Sequence, residues 1–308
     1  MSKFFLFFED EFYRILPQKS SFRSWDNDND YKWDELYQME YSENIRLYKD
    51  EKRSYIKSLY AEKCAFLAIW MRDFILFKEC AELAIENSSD IDFRGLNDEL
   101  DRYLAECERK IKERKAEDII TFWIDAVPYG ETGNMCFWNE IKEKAVSFER
   151  AYAVTPNTKP VFRTMFCEKK EITDEGYKIR KVDEKNSSLI RMLKSNDYEV
   201  KTISGYFGDI AKETEIKKVF GFRTPTSLIL WHMLMQLMDT EGRQFIICHF
   251  FAETHYPYLS MEIEGYDNDE SVRRTAGEKK TDNQLRYYSR FFPPYASFIY
   301  MSDHGKGG

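Results

Sequence analysis

Asp303 and His304 offer the clearest chemistry in the sequence, because an acid and an imidazole lie side by side directly after an apolar run. That run, 298–301, has the length and the β-favouring composition of a buried strand. Gly305 then allows the backbone to turn sharply. Ligands collect beyond the carboxyl ends of strands in open α/β sheets. The segment therefore predicts a metal-binding corner or, as the simpler alternative, a turn with an exposed histidine.

Two further polar positions could take part in the same chemistry. Asp125 directly follows the apolar run 119–124, and it could be a metal-binding acid or an ordinary cap or turn residue. Thr158 precedes Pro160, and proline suits the first turn of a helix, so we expect Thr158 at or near an N-cap. Thr158 could be only a cap worth about 1 kcal/mol. It could also be a nucleophile whose developing negative charge faces a helix N-terminus.

The sequence contains four histidines. His255 follows the apolar run 245–251 and lies in a short loop beside Pro257, beyond the end of a predicted strand. His232 falls in the middle of a predicted helix and His249 in the middle of a predicted strand. We therefore treat His232 and His249 as structural and His255 as a candidate for chemistry.

Segments typical of strands and helices alternate from Asp118 onward, and they must position these residues. The strand-type or extended segments are 119–124, 148–154, 199–203, 245–251 and 298–301. The helix-type segments are 135–144, 187–194, 226–238 and one near 282–290. This alternation implies right-handed crossovers and a mostly parallel sheet with helices on both faces, an α/β fold.

The chain before Asp118 is helical in pattern and shows no candidate for chemistry. Apolar residues recur every three or four positions from 51 to about 87, and a second amphipathic helix is predicted over 96–116. Earlier, only a short helix near 5–15 and a turn-rich loop at 24–30 can be assigned. We therefore expect a helical N-terminal region, residues 1–117, and an α/β domain, residues 118–308.

The composition excludes some classes of function. A formal charge of −8 argues against a nucleic-acid partner, because binding phosphate backbones requires a basic surface. The six cysteines form no close pairs, which indicates reduced thiols. We see no signal peptide and no apolar stretch long enough to span a bilayer. These features predict a cytoplasmic protein, with the membrane surface as the alternative place of action.

The motifs from Asp118 onward, taken in order, resemble the sulfatase-like branch of the alkaline phosphatase superfamily. That branch includes sulfatases, phosphoethanolamine transferases and glycerol-phosphate transferases. The resemblance rests on five segments in the order of the family, namely 124–126 (IDA), 148–160 (FERAYAVTPNTKP), 198–205 (YEVKTISG), 254–258 (THYPY) and 301–305 (MSDHG). The first 117 residues are outside it. The resemblance implies an alkaline phosphatase-like fold for residues 118–308.

The resemblance also implies a site. Asp125, Thr158, Asp303 and His304 would ligate one divalent cation, and Thr158 would be the nucleophile. Three oxygens and one imidazole suit zinc or manganese. His255 would lie near the transferred group, as an oxyanion donor or as the general acid for the leaving group. The implied function is a metal-dependent phosphotransferase or phosphoester hydrolase acting on a small-molecule, lipid or glycan phosphoester.

The sequence departs from the pattern of the family at several positions. Sulfatases need a Cys or Ser in a Cys/Ser-x-Pro-x-Arg motif, whereas here Thr158 takes the first position and Phe162 the last, which favours phosphoryl transfer. Ala126 replaces the second acid of many members. The chain stops at Gly308, where the family normally continues, so we expect the α/β domain to be C-terminally incomplete. The alternative is an inactive sulfatase-like domain whose helical region binds a protein partner that the sequence does not identify.

Overall fold

A computed structural model of the chain describes residues 31–128, 130, 132–148, 150–153, 155–167, 184, 187–204, 224–256, 258–260 and 269–305. The helix predicted near residues 5–15 and the loop at 24–30 lie outside these residues. The helical elements are α1 (Tyr31–Asp50), α2 (Ser54–Trp70), α3 (Phe74–Glu86), α4 (Phe93–Glu113), α5 (Cys136–Lys144), α6 (Thr158–Cys167), α7 (Ser188–Ser195), α8 (Thr226–Met238) and α9 (Glu270–Ser289). The strands are β1 (Ile119–Ile124), β2 (Tyr198–Ile203), β3 (Arg243–Phe250) and β4 (Ser297–Ser302).

The strands form one sheet in the order β2-β3-β1-β4, and each neighbouring pair is parallel. Alternate side chains point to opposite faces of a strand, and each face here has its own core. Trp123 and Ile247 mark one face, where the sheet packs against α6 and α7. Phe122 and Ile246 mark the other face, which α8 and α9 cover. The sheet with helices on both faces confirms the predicted α/β fold class.

The helical N-terminal region shares the larger of these two cores. Phe74 of α3 packs edge-on against Trp231 of α8 with ring centroids 5.4 Å apart, and Tyr103 of α4 contacts the same indole at 6.0 Å. One continuous cluster of buried apolar side chains runs from Tyr37 in α1 to Phe122 in the sheet. The helices before residue 117 and the sheet therefore bury their apolar surface together.

The helical region differs from its prediction in two ways. Residues 31–50 form α1, although no helix was predicted there. The helix predicted from 51 to about 87 is interrupted between α2 and α3, where Arg72 has a positive φ of 59°. Asp73 then caps α3 by accepting a hydrogen bond from the backbone N–H of Leu76 at 3.1 Å. The continuous apolar periodicity concealed this turn.

Two predicted elements of the α/β part were wrong in extent. Residues 148 and 150–153 lie in no strand of the described sheet, and Phe148 and Tyr152 are 81% and 86% exposed. Helix α9 begins at Glu270, well before the predicted 282. The sequence did not reveal the first half of the helix because the residues buried there are mostly polar and show no apolar period.

Polar side chains of α9 connect it to the surrounding helices. Asp282 accepts hydrogen bonds from the backbone N–H groups of Phe137 and Trp138 at 2.8 and 2.9 Å, and so caps the start of α5. Lys280 forms a buried ion pair with Asp73. Such tertiary caps satisfy N–H groups that a helix leaves without intrahelical partners. The polar composition of α9 thus fixes three helices relative to one another.

Arg114 also connects several elements through buried polar contacts, here at the amino ends of β1 and β3. Its guanidinium pairs with Asp118, just before β1, at 2.6 and 2.8 Å. It also donates to the carbonyls of Leu237, in the last turn of α8, and of Thr240 and Gly242, which follow that helix. Asp118 in turn accepts a hydrogen bond from the N–H of Gln244 at 2.9 Å. This buried network fixes the starts of β1 and β3.

We predict that Gly277→Ala destabilises the protein by at least about 2 kcal/mol. A Cβ at position 277 would lie 1.8 Å from the backbone oxygen of Glu253, and a backbone atom cannot move aside cheaply. Alanine in a helix interior is otherwise more favourable than glycine by about 1 kcal/mol. Urea unfolding of the variant measures the effect.

Gly242→Ala is the matched control, because a Cβ at position 242 meets no atom within 4 Å. We expect its unfolding free energy to stay within about 0.5 kcal/mol of the parent protein. Equal stability of the two variants would contradict the close approach between α9 and the loop after β3.

Candidate functional site

The candidate site lies at the carboxyl ends of β1, β3 and β4, on the face of the sheet that α6 covers. Asp125 comes two residues after Trp123, and Asp303 two residues after Met301, and both Trp123 and Met301 pack on that face. Ile124 pairs with Ser302 in the parallel register, so Asp125 and Asp303 continue the same row. The alternation of the strands therefore directs two carboxylates to one place.

Thr158 reaches this place from above the sheet. It is the first residue of α6, and Phe162 and Phe166 follow it at intervals of four residues, which puts all three on one side of the helix. Phe162 and Phe166 pack on the indole of Trp123 with centroid distances of 5.5 and 6.3 Å. This aromatic cluster fixes the helix so that its N-terminus lies over Asp125.

The four residues predicted as ligands come together. The Thr158 hydroxyl donates a hydrogen bond to Oδ2 of Asp125 at 2.8 Å, and it lies 3.1 Å from Nε2 of His304. Nε2 of His304 is 3.5 Å from Oδ2 of Asp303. All four side chains are buried, with exposures from 0 to 7%. Their convergence agrees with the motif pattern, while their roles as ligands and nucleophile remain predictions.

The backbone beside the two acids is shaped for the site. Ala126 has a positive φ of 56°, an uncommon conformation for a residue with a side chain. This turn directs the N–H of Ala126 to Oδ1 of Asp303 at 3.2 Å, and the N–H of His304 donates to the same oxygen at 2.8 Å. The backbone of Ala126 thus contributes a hydrogen bond to the second carboxylate of the site.

His249 belongs to the site, although it was treated as structural in the sequence. Its Nε2 lies 3.3 Å from Oδ2 of Asp125, and its Nδ1 lies 3.1 Å from the hydroxyl oxygen of Ser204. A mid-strand position suggested a core residue. The alternation of side chains along β3 could have predicted this position, because His249 comes two residues after Ile247 and therefore lies on the same face of the sheet as Asp125.

His255 lies in the loop beyond β3 and is partly buried. Its Nδ1 contacts the carbonyl oxygen of Tyr256 at 2.9 Å, and its ring stacks on Phe251 with centroids 4.2 Å apart. The carbonyl can only accept, so Nδ1 carries the proton in this contact. Nε2 is then the ring nitrogen that is not engaged with Tyr256.

The two carboxylates have opposite pKa shifts. Burial raises the pKa of Asp125, but His249, Thr158 and His255 together outweigh burial and hold it below its ordinary value. Burial first, and then the negative charge of Asp125, raise the pKa of Asp303. Two buried carboxylates this close cannot both be ionised without a compensating positive charge.

The donor atoms fit a divalent cation. Within the described part of the chain, Oδ1 of Asp125 and Oδ2 of Asp303 are buried and accept no hydrogen bond. Atoms of Asp125, His249 and Asp303 that could ligate a metal lie within 4.8 Å of one another. His304 has its Nδ1 2.6 Å from the carbonyl oxygen of Gly305, which leaves Nε2 facing the site. Carboxylate, hydroxyl and imidazole donors suit zinc or manganese.

Comparisons with known proteins give one similarity. The sequence matches no protein-family model and no curated protein. Among solved structures, the chain is similar to the lipoteichoic acid synthase LtaP from Listeria monocytogenes, with 10% identity, a TM-score of 0.46 and 66% of this chain covered. The chain spans 62% of the length of LtaP. The site described above rests on the side chains of this chain alone.

The helices of the structure were also compared with the requirements for a transmembrane segment. In the ranges given above, no helix combines the length and the apolar composition that spanning a bilayer would require.

We predict that zinc or manganese raises the stability of the protein and that Asp303→Asn abolishes this gain. A ligand that binds only the folded state at one hundred times its Kd adds about 2.7 kcal/mol. Without metal, Asp303→Asn should unfold at a higher urea concentration than the parent at neutral pH, because asparagine removes the repulsion from Asp125.

Asp98→Asn, on the exposed surface of α4, is the control and should keep the full response to metal. Chemical unfolding with added metal and with chelator measures both effects. An Asp303→Asn protein that metal still stabilises fully would contradict the role of this acid as a ligand.

Glu253 lies under the His255 loop and has a different role. Its carboxylate accepts hydrogen bonds from the N–H and hydroxyl of Thr226 at 2.8 and 2.9 Å, and so caps α8. The side chain is buried, and burial raises its pKa from 4.5 to about 7. These contacts give Glu253 a structural role, in which it connects the loop after β3 to the start of α8.

The raised pKa of Glu253 predicts a pH dependence of stability. Between pH 4.5 and about 7 the folded state holds a proton that the unfolded state has lost. Stability therefore falls as the pH rises through this window, by up to about 3 kcal/mol from this residue.

Glu253→Gln should remove this part of the slope, because glutamine still accepts the N–H of Thr226 and does not titrate. Urea unfolding of both proteins in chelator at several pH values measures the difference. Parallel pH profiles for the parent and Glu253→Gln would contradict the assignment.

Proposed function

We propose that the chain is a metal-dependent phosphotransferase or phosphoester hydrolase that uses Thr158 as its nucleophile. The observation that carries this proposal is the position of the Thr158 hydroxyl, which lies 2.8 Å from Asp125 and 3.1 Å from His304 at the start of a helix. A cap would need neither the buried acid nor the imidazole. The site also gathers two carboxylates whose burial is costly without a cation.

Asp125, Thr158, Asp303 and His304 would hold the cation. When bound, a divalent cation supplies Lewis-acid stabilisation of phosphoryl oxygens and lowers the pKa of a coordinated hydroxyl. The N-terminus of α6 adds the positive end of a helix dipole beside the same oxygens. Both effects favour the negative charge that develops in phosphoryl transfer.

In the first chemical step, Thr158 would be the nucleophile and His255 the proton donor to the leaving group. The Thr158 oxygen attacks phosphorus and its proton passes to Oδ2 of Asp125, which already accepts the hydroxyl hydrogen bond. The bond from phosphorus to the leaving alcohol oxygen breaks, and that oxygen takes a proton from Nε2 of His255, which enters this step with both ring nitrogens protonated because Nδ1–H stays on the carbonyl of Tyr256. His255 keeps its orientation through Tyr256 and Phe251. The product is an alcohol and a phosphothreonine ester.

The second step decides between the two activities. An acceptor alcohol that attacks the phosphothreonine yields a transferase, and water yields a hydrolase. In either case the new P–O bond forms as the bond from Thr158 to phosphorus breaks. Nε2 of His255 takes the proton of the attacking group, and the Thr158 oxygen recovers its proton from Oδ2 of Asp125. A phosphate ester is the preferred substrate class over a sulfate ester, because threonine cannot mature to formylglycine.

The substrate itself is proposed more broadly. A small-molecule, lipid or glycan phosphoester would suit the motif pattern. We propose that the reaction takes place in the cytoplasm or at a membrane surface.

We predict that Thr158→Ala lowers turnover of phosphoester substrates by at least about a thousandfold. Alanine removes the attacking oxygen and one ligand, while Asp125, Asp303 and His304 remain to hold metal. The stability cost should be only about 1–2 kcal/mol. Thr158→Ser should keep part of the activity, because serine retains the hydroxyl but loses the methyl group that restricts its rotamer.

Thr164→Ala is the matched control on the same helix, because its hydroxyl donates to the carbonyl of Pro160 within α6 at 2.9 Å. Hydrolysis and transfer assays with metal, together with mass spectrometry for a phosphothreonine at position 158, measure the outcome. Undiminished metal-dependent cleavage by Thr158→Ala would remove threonine from the mechanism. A parent protein that binds no metal and turns over no phosphoester would favour the inactive, partner-binding alternative.

A further inference from the structure

We infer that His249 is a fifth ligand of the proposed cation and that Ser204 holds its imidazole in the orientation for binding. The inference rests on the metal-dependent function proposed above. It adds His249, which lies outside the five motifs that resemble the sulfatase-like branch. It also gives a positioning role to Ser204, the residue directly after β2.

The sheet places both residues on the face of the site. His249 pairs with Trp123 in the parallel register, and it follows Ile247, whose side chain packs on the α6 face. Ile203 pairs with Cys248, so Ser204 is the next residue in register and lies opposite His249. Neighbouring strands β2, β3, β1 and β4 thus each contribute one polar side chain to the same face, in the order Ser204, His249, Asp125 and Asp303.

The distances allow one ion to bind all the donors. Nε2 of His249 is 3.3 Å from Oδ2 of Asp125, the same oxygen that accepts the hydrogen bond of Thr158. Two ligands of one zinc ion lie at most about 4.2 Å apart, twice the metal–ligand distance. The candidate donor atoms of Asp125, His249 and Asp303 lie within 4.8 Å of one another, so small side-chain movements suffice. The imidazole is also fully buried between Ser204 and Asp125, where it has no access to solvent.

The hydroxyl of Ser204 explains how the ring would be held. When Nε2 binds a metal, Nδ1 keeps its proton and must donate it to an acceptor. The Ser204 oxygen is 3.1 Å from Nδ1 and can accept this hydrogen bond. Partners of this kind orient metal-binding histidines, and their loss typically costs ten- to a hundredfold in metal affinity.

A purely structural histidine would have the opposite tautomer. Its Nε2 would carry the proton and donate it to Asp125, and the Ser204 hydroxyl would donate to Nδ1. The two arrangements share the same heavy-atom positions but differ in which nitrogen is protonated. Nitrogen NMR of labelled histidine distinguishes them directly, and the sequence has only four histidines to assign.

The first experiment titrates zinc alone into the purified full chain by calorimetry. We expect His249→Gln to bind zinc at least a hundredfold more weakly than the parent, and Ser204→Ala to bind it ten- to a hundredfold more weakly. The controls are His232→Gln, which removes a histidine from α8, and Thr202→Val, which removes a buried hydroxyl from the same face of β2 without changing its shape. Both controls should bind zinc as the parent does.

The second experiment uses the parent protein and so does not depend on whether a variant folds. In the zinc-loaded protein we expect His249, assigned through its backbone resonances in the parent protein, to carry its proton on Nδ1 and to shift when zinc is removed. A proton on Nε2 with zinc bound, or parent-like affinity of His249→Gln, would overturn the inference while leaving the proposed function intact. A parent protein that binds no zinc or manganese would overturn both.

Discussion

The repulsion between two buried carboxylates is the constraint around which this structure is built. Asp125 and Asp303 are nearly inaccessible to solvent and lie on adjacent strands in one register row. Removing an ionised carboxylate from water is costly unless positive charge or hydrogen bonds replace the solvent. Three histidines, a hydroxyl and two backbone N–H groups surround the pair, and a divalent cation would complete the compensation. A core that only needed to be stable would have placed apolar side chains here.

The rest of the fold follows from holding these groups in place. The parallel register brings one polar residue from each strand to a single face, and the aromatic cluster of Trp123, Phe162 and Phe166 fixes the helix that carries Thr158. The opposite face of the sheet is packed by helices whose polar contacts are themselves buried, as with Asp282 and the start of α5. A site on strand ends and a helix start is more rigid than one on loops alone. His255 is the exception, since it lies on a loop and is oriented by Phe251 and Tyr256.

Much of the fold could be predicted because its strands have strong local signals. The apolar run Ile119–Ile124 became β1 with the predicted bounds, and α8 also matched its apolar pattern. The motif order brought Asp125, Thr158, Asp303 and His304 together without any contact information. Local patterns failed where tertiary contacts decide the structure, as in α9, where buried polar residues satisfy the caps of other helices and conceal the helical period. The break at Arg72 was hidden for the opposite reason, since the apolar period continued through it.

His249 shows the remaining limit of a sequence alone. Its position in the middle of a strand is ordinary for a core residue, and only the register with β1 and β2 reveals that it faces Asp125 and Ser204. Register between strands far apart in the chain depends on the packing of the whole sheet. The alternation within one strand, however, already separated the face of Ile247 and His249 from that of Ile246 and Cys248.

The sheet order has a consequence for how the site is assembled during protein synthesis. β1 lies between β3 and β4, and β4 is the last described strand to be made. Asp125 and Thr158 therefore leave the ribosome long before Asp303 and His304, and until then the nascent chain carries an incomplete set of the proposed ligands. Until β4 is released, one side of β1 has no partner, and the acid at its end has neither its neighbouring carboxylate nor His304. A cation that requires all of these donors can be retained only after residue 304 has emerged, so metal loading would follow translation of the sheet and not accompany it.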